Sequence, residues 1–511
     1  MKFQPLLLSV FFFVLGANLL YSQADHKALD QYCTQAQKDW AVPGMSVGII
    51  KDGQVVLAKG YGVAEAGKSA KADENTLFAI ASNTKAFVAT SLAMLVEEGK
   101  LRWDDPVQKH LPGFKLYDPY VTAHTTVRDL LCHRVGLGTF SGDVVWYKSN
   151  YSAEEVVRRA GELPQAYEYR GGYGYSNLMF IAAGEVIRAV SGKSWDTFAT
   201  ERILKPLGMA RTITSVKALP QTVNVAAPHK PENGVEKPIP WVDWDNMGAA
   251  GGIISSASDM LKWLQWNLDE GKVAGKSLLP AKALWELWQT HSINRIGESG
   301  RKLFPTRNFS MYGLGWGLFD YNGHLVVSHS GGYDGMYSRT FFVPDLKLGG
   351  VILTNSMTGV GNALMYRVLD TYTGKADKDW SKELLGREKA GQTAHEAEMK
   401  ALKDKRVIGT KPSLAPEKYA GLYRCKFYGD IRVSADQGKL AIKFLPANGL
   451  SATLSHWHFD TFELKWAEPQ AWFDFGTVQF VLDNTGEPQE LQFQVPNGDI
   501  FFEEIHAAKV E

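Results

Sequence analysis

The stretch LFAIASNTKAFVATSLAMLVEEGK, residues 77–100, decides how the chain is organised. From Ala86 to Glu98 it holds no glycine or proline, and Gly99 supplies a stop. Apolar residues fall on nearly every side: Phe87, Val88, Leu92, Met94, Leu95 and Val96. A helix that is apolar all round is a buried one, so the spacing predicts a core helix with Ser82 and Lys85 at its first turn. Residues three apart share a helix face, which brings the lysine amine within reach of the serine hydroxyl. The helix N-terminus adds free N–H groups that favour a developing anion. S-x-x-K is also what a serine N-cap looks like, and the rest of the chain must separate the two readings.

The chain has 511 residues, more than one ordinary domain requires, with the composition of a globular protein. Its 55 basic residues balance 55 acidic ones, and no long basic run occurs. Binding to nucleic acid or to an anionic membrane therefore has no electrostatic support. At the N-terminus, Lys2 precedes an apolar run from Leu6 to Leu20, and Ser22 and Ala24 form a small-residue cleavage site. This predicts a signal peptide over 1–24 and an exported, periplasmic or secreted product with no transmembrane anchor. Cys33, Cys132 and Cys425 make no C-x-x-C motif and no disulfide framework, although one bridge is open to them.

Three blocks follow. Residues 25–373 mix strand and helix. MSVGIIKDGQVVLAKGYG reads as a hairpin about Asp52-Gly53, and later strands turn at Asn322-Gly323 and Pro344-Asp345. Strands at both ends with helices between predict an α+β fold, one antiparallel sheet beside a helical region. Residues 374–415 are highly charged and read as a linker with exposed helix. Residues 416–511 read as all-β: Leu440, Ile442 and Phe444 alternate with polar or small residues, as do Phe462, Leu464 and Trp466. Short strands at this spacing predict a small barrel or sandwich.

Two further stations bear on Ser82 and Lys85. YRGGYGYSN, residues 169–177, sets Tyr175 and Asn177 in a glycine-rich loop that admits a ligand close to the backbone. HSGG, residues 329–332, ends a β-rich run, and there Gly331 and Gly332 leave room along a strand edge beside His329. His456 and His458 share a strand face without an evident third metal ligand, and Gly313, Gly315 and Gly317 lack the βαβ setting of a dinucleotide loop. No metal and no cofactor is called for.

Taken in order, S-x-x-K, Y-x-N and H-x-G resemble the serine β-lactamase and penicillin-binding-protein superfamily, most closely the branch of D-aminopeptidases, carboxypeptidases and class C-like esterases of the S12 peptidase type. LLCHRVGLGTF (130–140), ILKPLGM (203–209), AAGGIISSASDMLKWL (249–264) and YGLGWGL (312–318) extend the likeness. The last block, with HWHFDTF (456–462), is similar to a lipocalin-like barrel that follows some members. The resemblance implies a Ser82 acyl-enzyme, with Lys85 and Tyr175 carrying protons, Asn177 orienting, and an oxyanion hole from the N–H groups of Ser82 and Gly332, beside His329 and Gly331. It implies a small peptide, amide or ester substrate, with D-amino-acid derivatives foremost. A β-lactamase and a non-catalytic penicillin or peptidoglycan sensor are the alternatives, and oligomeric state stays open. Where β-lactamases carry K-T-G this chain has His329-Ser330-Gly331, so a fixed cation is replaced by an imidazole.

Overall fold

The computed structural model describes residues 26–374, 378–447 and 449–510. The expected signal peptide lies outside them. Eight antiparallel strands form the main sheet: β1 (Gly44–Lys51), β2 (Gln54–Gly62), β3 (Ser292–Ile293), β4 (Ser310–Tyr312), β5 (Gly317–Tyr321), β6 (His324–Tyr333), β7 (Met336–Val343) and β8 (Leu348–Thr354), in the order β2-β1-β8-β7-β6-β5-β4-β3. The first strand pairs with the last, Met45 opposite Thr354 and Lys51 opposite Leu348. The hairpins expected at Asp52-Gly53 and Asn322-Gly323 are present, each with both turn residues at positive φ, as a tight two-residue connection requires.

Five long helices matter here: α1 (Thr84–Glu97), α2 (Asn177–Ser191), α3 (Ala257–Leu268), α4 (Val360–Thr373) and α5 (Trp380–Asp404). On one face of the sheet α3 lies on β1 and β8, and the helical region built on α1 and α2 lies beyond it. On the other face α4 covers β7 and β8, and a helix over 26–39 joins the same apolar cluster through Leu29, Cys33 and Ala36. Every residue of α1 from Thr84 to Leu95 is buried, as its all-round apolarity demands. The described residues contain no helix long and apolar enough to cross a membrane.

The charged segment after α4 is mainly α5, a 25-residue helix that packs along α4, where Glu388 accepts a hydrogen bond from Gly359 N at 2.8 Å. Beyond it, eight consecutive strands from Gly421–Cys425 to Ala507–Lys509 close into a barrel. The barrel is filled by side chains: Phe444, Phe493 and Phe502 pack together, as do Tyr419, Phe462 and Phe480. One continuous cluster of buried residues runs from α1 through the helical region into this barrel. Polar contacts seam the junction: Asn150 N donates to Pro446 O at 2.7 Å, Tyr151 Oη to Tyr428 O at 2.9 Å, and Arg159 Nη1 to Phe427 O at 2.8 Å. Cys33, Cys132 and Cys425 are all free thiols, each buried apart from the others.

Candidate active site

Ser82 sits in a short 3₁₀ turn, Ala81–Asn83, that feeds α1, and no side-chain cap bond forms at either junction. The N-cap reading of Ser82 therefore does not hold. Ala81 adopts φ 43°, a left-handed conformation costly for a residue with a Cβ, directly before the serine. This turn is braced against β6 and β7. A Cβ on Gly331 would stand 2.2 Å from Ile80 O and 2.9 Å from Ser82 N, so only glycine lets the strand pass this close to the serine backbone. Ser338, paired with Gly331 across the β6–β7 hairpin, donates to Ile80 O at 2.7 Å.

Lys85, on the first turn of α1, is wholly buried, and its Nζ has three neighbours: Ser82 Oγ at 2.9 Å, Asn177 Oδ1 at 2.8 Å and Ala250 O at 2.8 Å. Two of these can only accept hydrogen bonds. A neutral amine has two N–H groups for them and one lone pair left, which faces the serine hydroxyl. Burial holds the lysine well below its ordinary range, against a partial counter-pull from Asp143. Ala250 O is free to accept because Gly248–Gly251 is a single helical turn in which only Gly248 O, bonded by Gly252 N at 2.7 Å, has a helical partner.

Tyr175 lies beside the pair, its ring centroid 4.8 Å from Lys85 Nζ, with its phenol facing the Ser82 side chain. Burial raises the phenol well above its usual range, so it holds its proton. Asn177 opens α2 and faces both ways, with Oδ1 accepting from Lys85 and Nδ2 donating to Asp143 Oδ2 at 2.6 Å. His329 is neutral. Its Nδ1–H donates to Ser330 O at 2.6 Å, its Nε2 accepts from Tyr312 Oη at 2.8 Å, and burial, helped by the nearby Lys85, pushes it down to about 3.

Ser82, Tyr175, Asn177, His329 and Gly332 therefore line one cavity of about 460 Å³, and Lys85 and Gly331 pack directly against Ser82. Several members went unseen in the sequence. Asp143 is buried and pushed up to about 8 by that burial, and it sits in SGDVVW, which carries no motif signal. His133, at φ 60°, accepts a bond from Ser176 N at 3.0 Å, and its carbonyl accepts from Gly174 N at 3.0 Å, so it splints the loop that presents Tyr175. Arg339 faces its register partner Ser330 and lines the cavity's flank. Tyr312 lines the cavity as well, and the barrel contributes Trp472, whose ring would meet a Cβ on Gly332 at 3.2 Å, and Asp499. Asn497 fixes the Asp499 loop by accepting from Ile500 N at 2.6 Å and donating to Val495 O at 2.7 Å. Cys132 is raised to about 12 by burial and is no nucleophile. His456 and His458 bond to backbone, Phe459 O and Val407 N.

The family model described as Beta-lactamase matches residues 29–372, and one described as a domain of unknown function (DUF3471) matches 405–509. "Unguisins hydrolase ungD" of Aspergillus violaceofuscus is 31% identical over 437 residues, covering 80% of this chain and 76% of that protein. "Protein flp" of Staphylococcus aureus is 30% identical over 335 residues, covering 61% of this chain and 60% of its own. Among solved structures, the octameric penicillin-binding protein homologue from Pyrococcus abyssi superimposes with a TM-score of 0.62 at 22% identity, over 94% of this chain and 99% of that one. The D-amino acid amidase from Ochrobactrum anthropi SV3, complexed with D-phenylalanine, does so at 0.55 and 26%, over 67% and 99%. With the matched region spanning the sheet, the helical region and the residues about Ser82 and Lys85, the chain belongs to the beta-lactamase family and is a serine hydrolase of that fold.

Proposed function

We propose that this chain is an exported hydrolase that cleaves amide or ester bonds through an acyl-enzyme on Ser82, and that its preferred substrates carry a free amine, as D-amino-acid amides and N-terminal D-residues of short peptides do. The observation that carries the chemistry is the set of neighbours of Lys85 Nζ, which favours the neutral amine with its lone pair toward Ser82 Oγ. In acylation the serine oxygen attacks the carbonyl carbon while its proton passes to Lys85. The N–H groups of Ser82 and Gly332 receive the oxyanion. Tyr175, protonated and in contact with Ser82, relays a proton to the leaving amine or alcohol. Water then enters by the reverse relay and releases the acid.

The substrate preference draws support from charge. Asp499 lines the cavity with no hydrogen bond or ion pair to its carboxylate among the described residues, and burial lifts it to about 6. An ammonium group on the substrate would complete it. The neutral His329 offers no fixed cation to a carboxylate at the same edge. The relative named a D-amino acid amidase supports amides in particular. Export rests on Lys2, the Leu6–Leu20 run and the Ser22/Ala24 site. The test is a hydrolysis panel of D- and L-aminoacyl anilides, their N-acetylated forms, short-chain esters and a chromogenic cephalosporin. Turnover led by the free-amine D-substrates is expected. Inert amides and esters beside a rapidly hydrolysed cephalosporin would sink the reading.

A further inference from the structure

The barrel touches the catalytic region at one place that leads to the lysine. Glu504, in the 3₁₀ turn Phe502–Glu504, reaches across the junction. Its Oε1 accepts a hydrogen bond from Ser141 Oγ at 2.6 Å, and its Oε2 accepts from Gly142 N at 2.8 Å. The segment it grips is strained. Phe140 stands at φ 60° and Gly142 at φ 85°, two left-handed positions on either side of Ser141. Such conformations persist where the surroundings over-determine them. On its other side the segment is tied to the tyrosine loop, for Phe140 N donates to Tyr175 O at 2.8 Å and Tyr175 N to Thr139 Oγ1 at 3.1 Å. Its next residue is Asp143, which holds Asn177 and through it Lys85.

We propose that Glu504 is a positioning residue for the hydrolytic site: by clamping residues 141–142 it sets the placement of Asp143, Asn177 and Tyr175 about Lys85, so that the barrel completes the active site mechanically as well as lining it. The inference rests on the acyl-enzyme reading above. It concerns geometry, since Glu504 itself touches neither Ser82 nor the cavity. A glutamine has the same length, and it can accept from Gly142 N–H through its carbonyl while donating to the Ser141 oxygen. It should therefore preserve the clamp, whereas alanine should not. Glu503 is the internal control: its Oε1 accepts from Val495 N at 2.7 Å, wholly within the barrel.

The experiment uses the full chain and a small activated ester that reaches Ser82 without touching the barrel. The wild-type protein is first tested for Ser82 acylation by mass mapping. Glu504→Ala should lower kcat by about tenfold or more with KM within about twofold, in keeping with the sensitivity of catalysis to small displacements. Glu504→Gln should recover kcat to within about threefold. Glu503→Ala should lower Tm and leave kcat in place. If Glu504→Ala does not fold, Ser141→Ala, which removes one of the two bonds from the other side, should give a smaller loss in kcat with the same unchanged KM. Wild-type kcat in Glu504→Ala, a loss confined to KM, an equal loss in Glu503→Ala, or a glutamine variant no better than alanine overturns the inference alone. Absence of Ser82 acylation in the wild-type protein overturns the acyl-enzyme reading and this inference with it.

Discussion

Asp143 accepts a hydrogen bond from Asn177 at 2.6 Å, and Asn177 passes the contact on to Lys85 at 2.8 Å, so a buried acid lies two bonds from the proposed base. Burial pushes the acid up to about 8, so its charge, which favours the ammonium form of the lysine, develops only as pH rises through that value. Asparagine at 143 keeps an acceptor for Asn177 and removes that charge. The acid limb of kcat/KM reports the base in the free enzyme, and below about pH 8, where burial keeps the wild-type acid protonated, that limb should coincide in Asp143→Asn and wild type. An acid limb displaced below about pH 8 by the substitution would show an ionised Asp143 acting on Lys85.

Ser82 is the serine expected to take up a covalent fluorophosphonate, located by peptide mass. Lys85→Ala should cut acylation by about a hundredfold or more, the usual contribution of a positioned base. Lys85→Arg should do no better, because a guanidinium cannot give up its proton at working pH. Label on a different serine, or near-normal acylation without Lys85, would contradict the assignment.

The free-amine preference has its own pH signature. Asp499 rises to about 6 through burial, so its carboxylate is charged above that pH and increasingly neutral below it. KM for an aminoacyl anilide should climb as pH falls through 6, while KM for the N-acetylated anilide stays flat. Asp499→Asn should raise the first KM by about ten- to a hundredfold and abolish its pH dependence, the range expected for one charge-assisted hydrogen bond worth about 1.5–3 kcal/mol. Equal effects on both substrates would show that Asp499 does not meet the amine.

His329 tests the opposite charge. Bonded to Ser330 O and Tyr312 and held neutral, it gives a carboxylate no fixed cation. His329→Lys should shift the ratio of kcat/KM values toward cephalosporins over aminoacyl amides. Arg339 flanks the same cavity and bonds to Asn362, and whatever cephalosporin turnover the unmodified enzyme has should fall in Arg339→Ala. Brisk cephalosporin hydrolysis that both substitutions leave unchanged would place carboxylate recognition elsewhere.

Much of the architecture could be read from local pattern. The all-round apolarity of residues 86–96 marked α1 as buried, the Asp-Gly and Asn-Gly pairs marked two hairpins, and alternation at 440–444 and 462–466 marked barrel strands. The cavity residues with motif spacing, Ser82, Lys85, Tyr175, Asn177 and His329, were equally visible, because each lies within a few residues of a glycine or a partner that signals it. Asp143, Tyr312, Trp472, Asp499 and Glu504 were not. Asp143, Tyr312 and Glu504 act through partners between 17 and 363 positions away, such as Tyr312 with His329 or Ser141 with Glu504, Trp472 and Asp499 reach the cavity from the barrel, and no local periodicity encodes such separations. His133 stood in plain sight within LLCHRVG, but its role depends on a positive φ and a loop 43 positions on.

The pairing of Met45 with Thr354 carries a consequence for synthesis. A sheet whose first strand waits for its last cannot close while the intervening chain is still being made, and contacts this distant in sequence fold slowly. The helix bearing Ser82 emerges early but has no strand beside it until His329–Gly332 and the strands after it exist. Glu504 and Asp499 come later still, beside the last strand of the barrel, Ala507–Lys509. A nascent chain of this topology carries Ser82 for hundreds of residues without a complete cavity around it. The cavity is therefore completed only once the last strands of the barrel have been made.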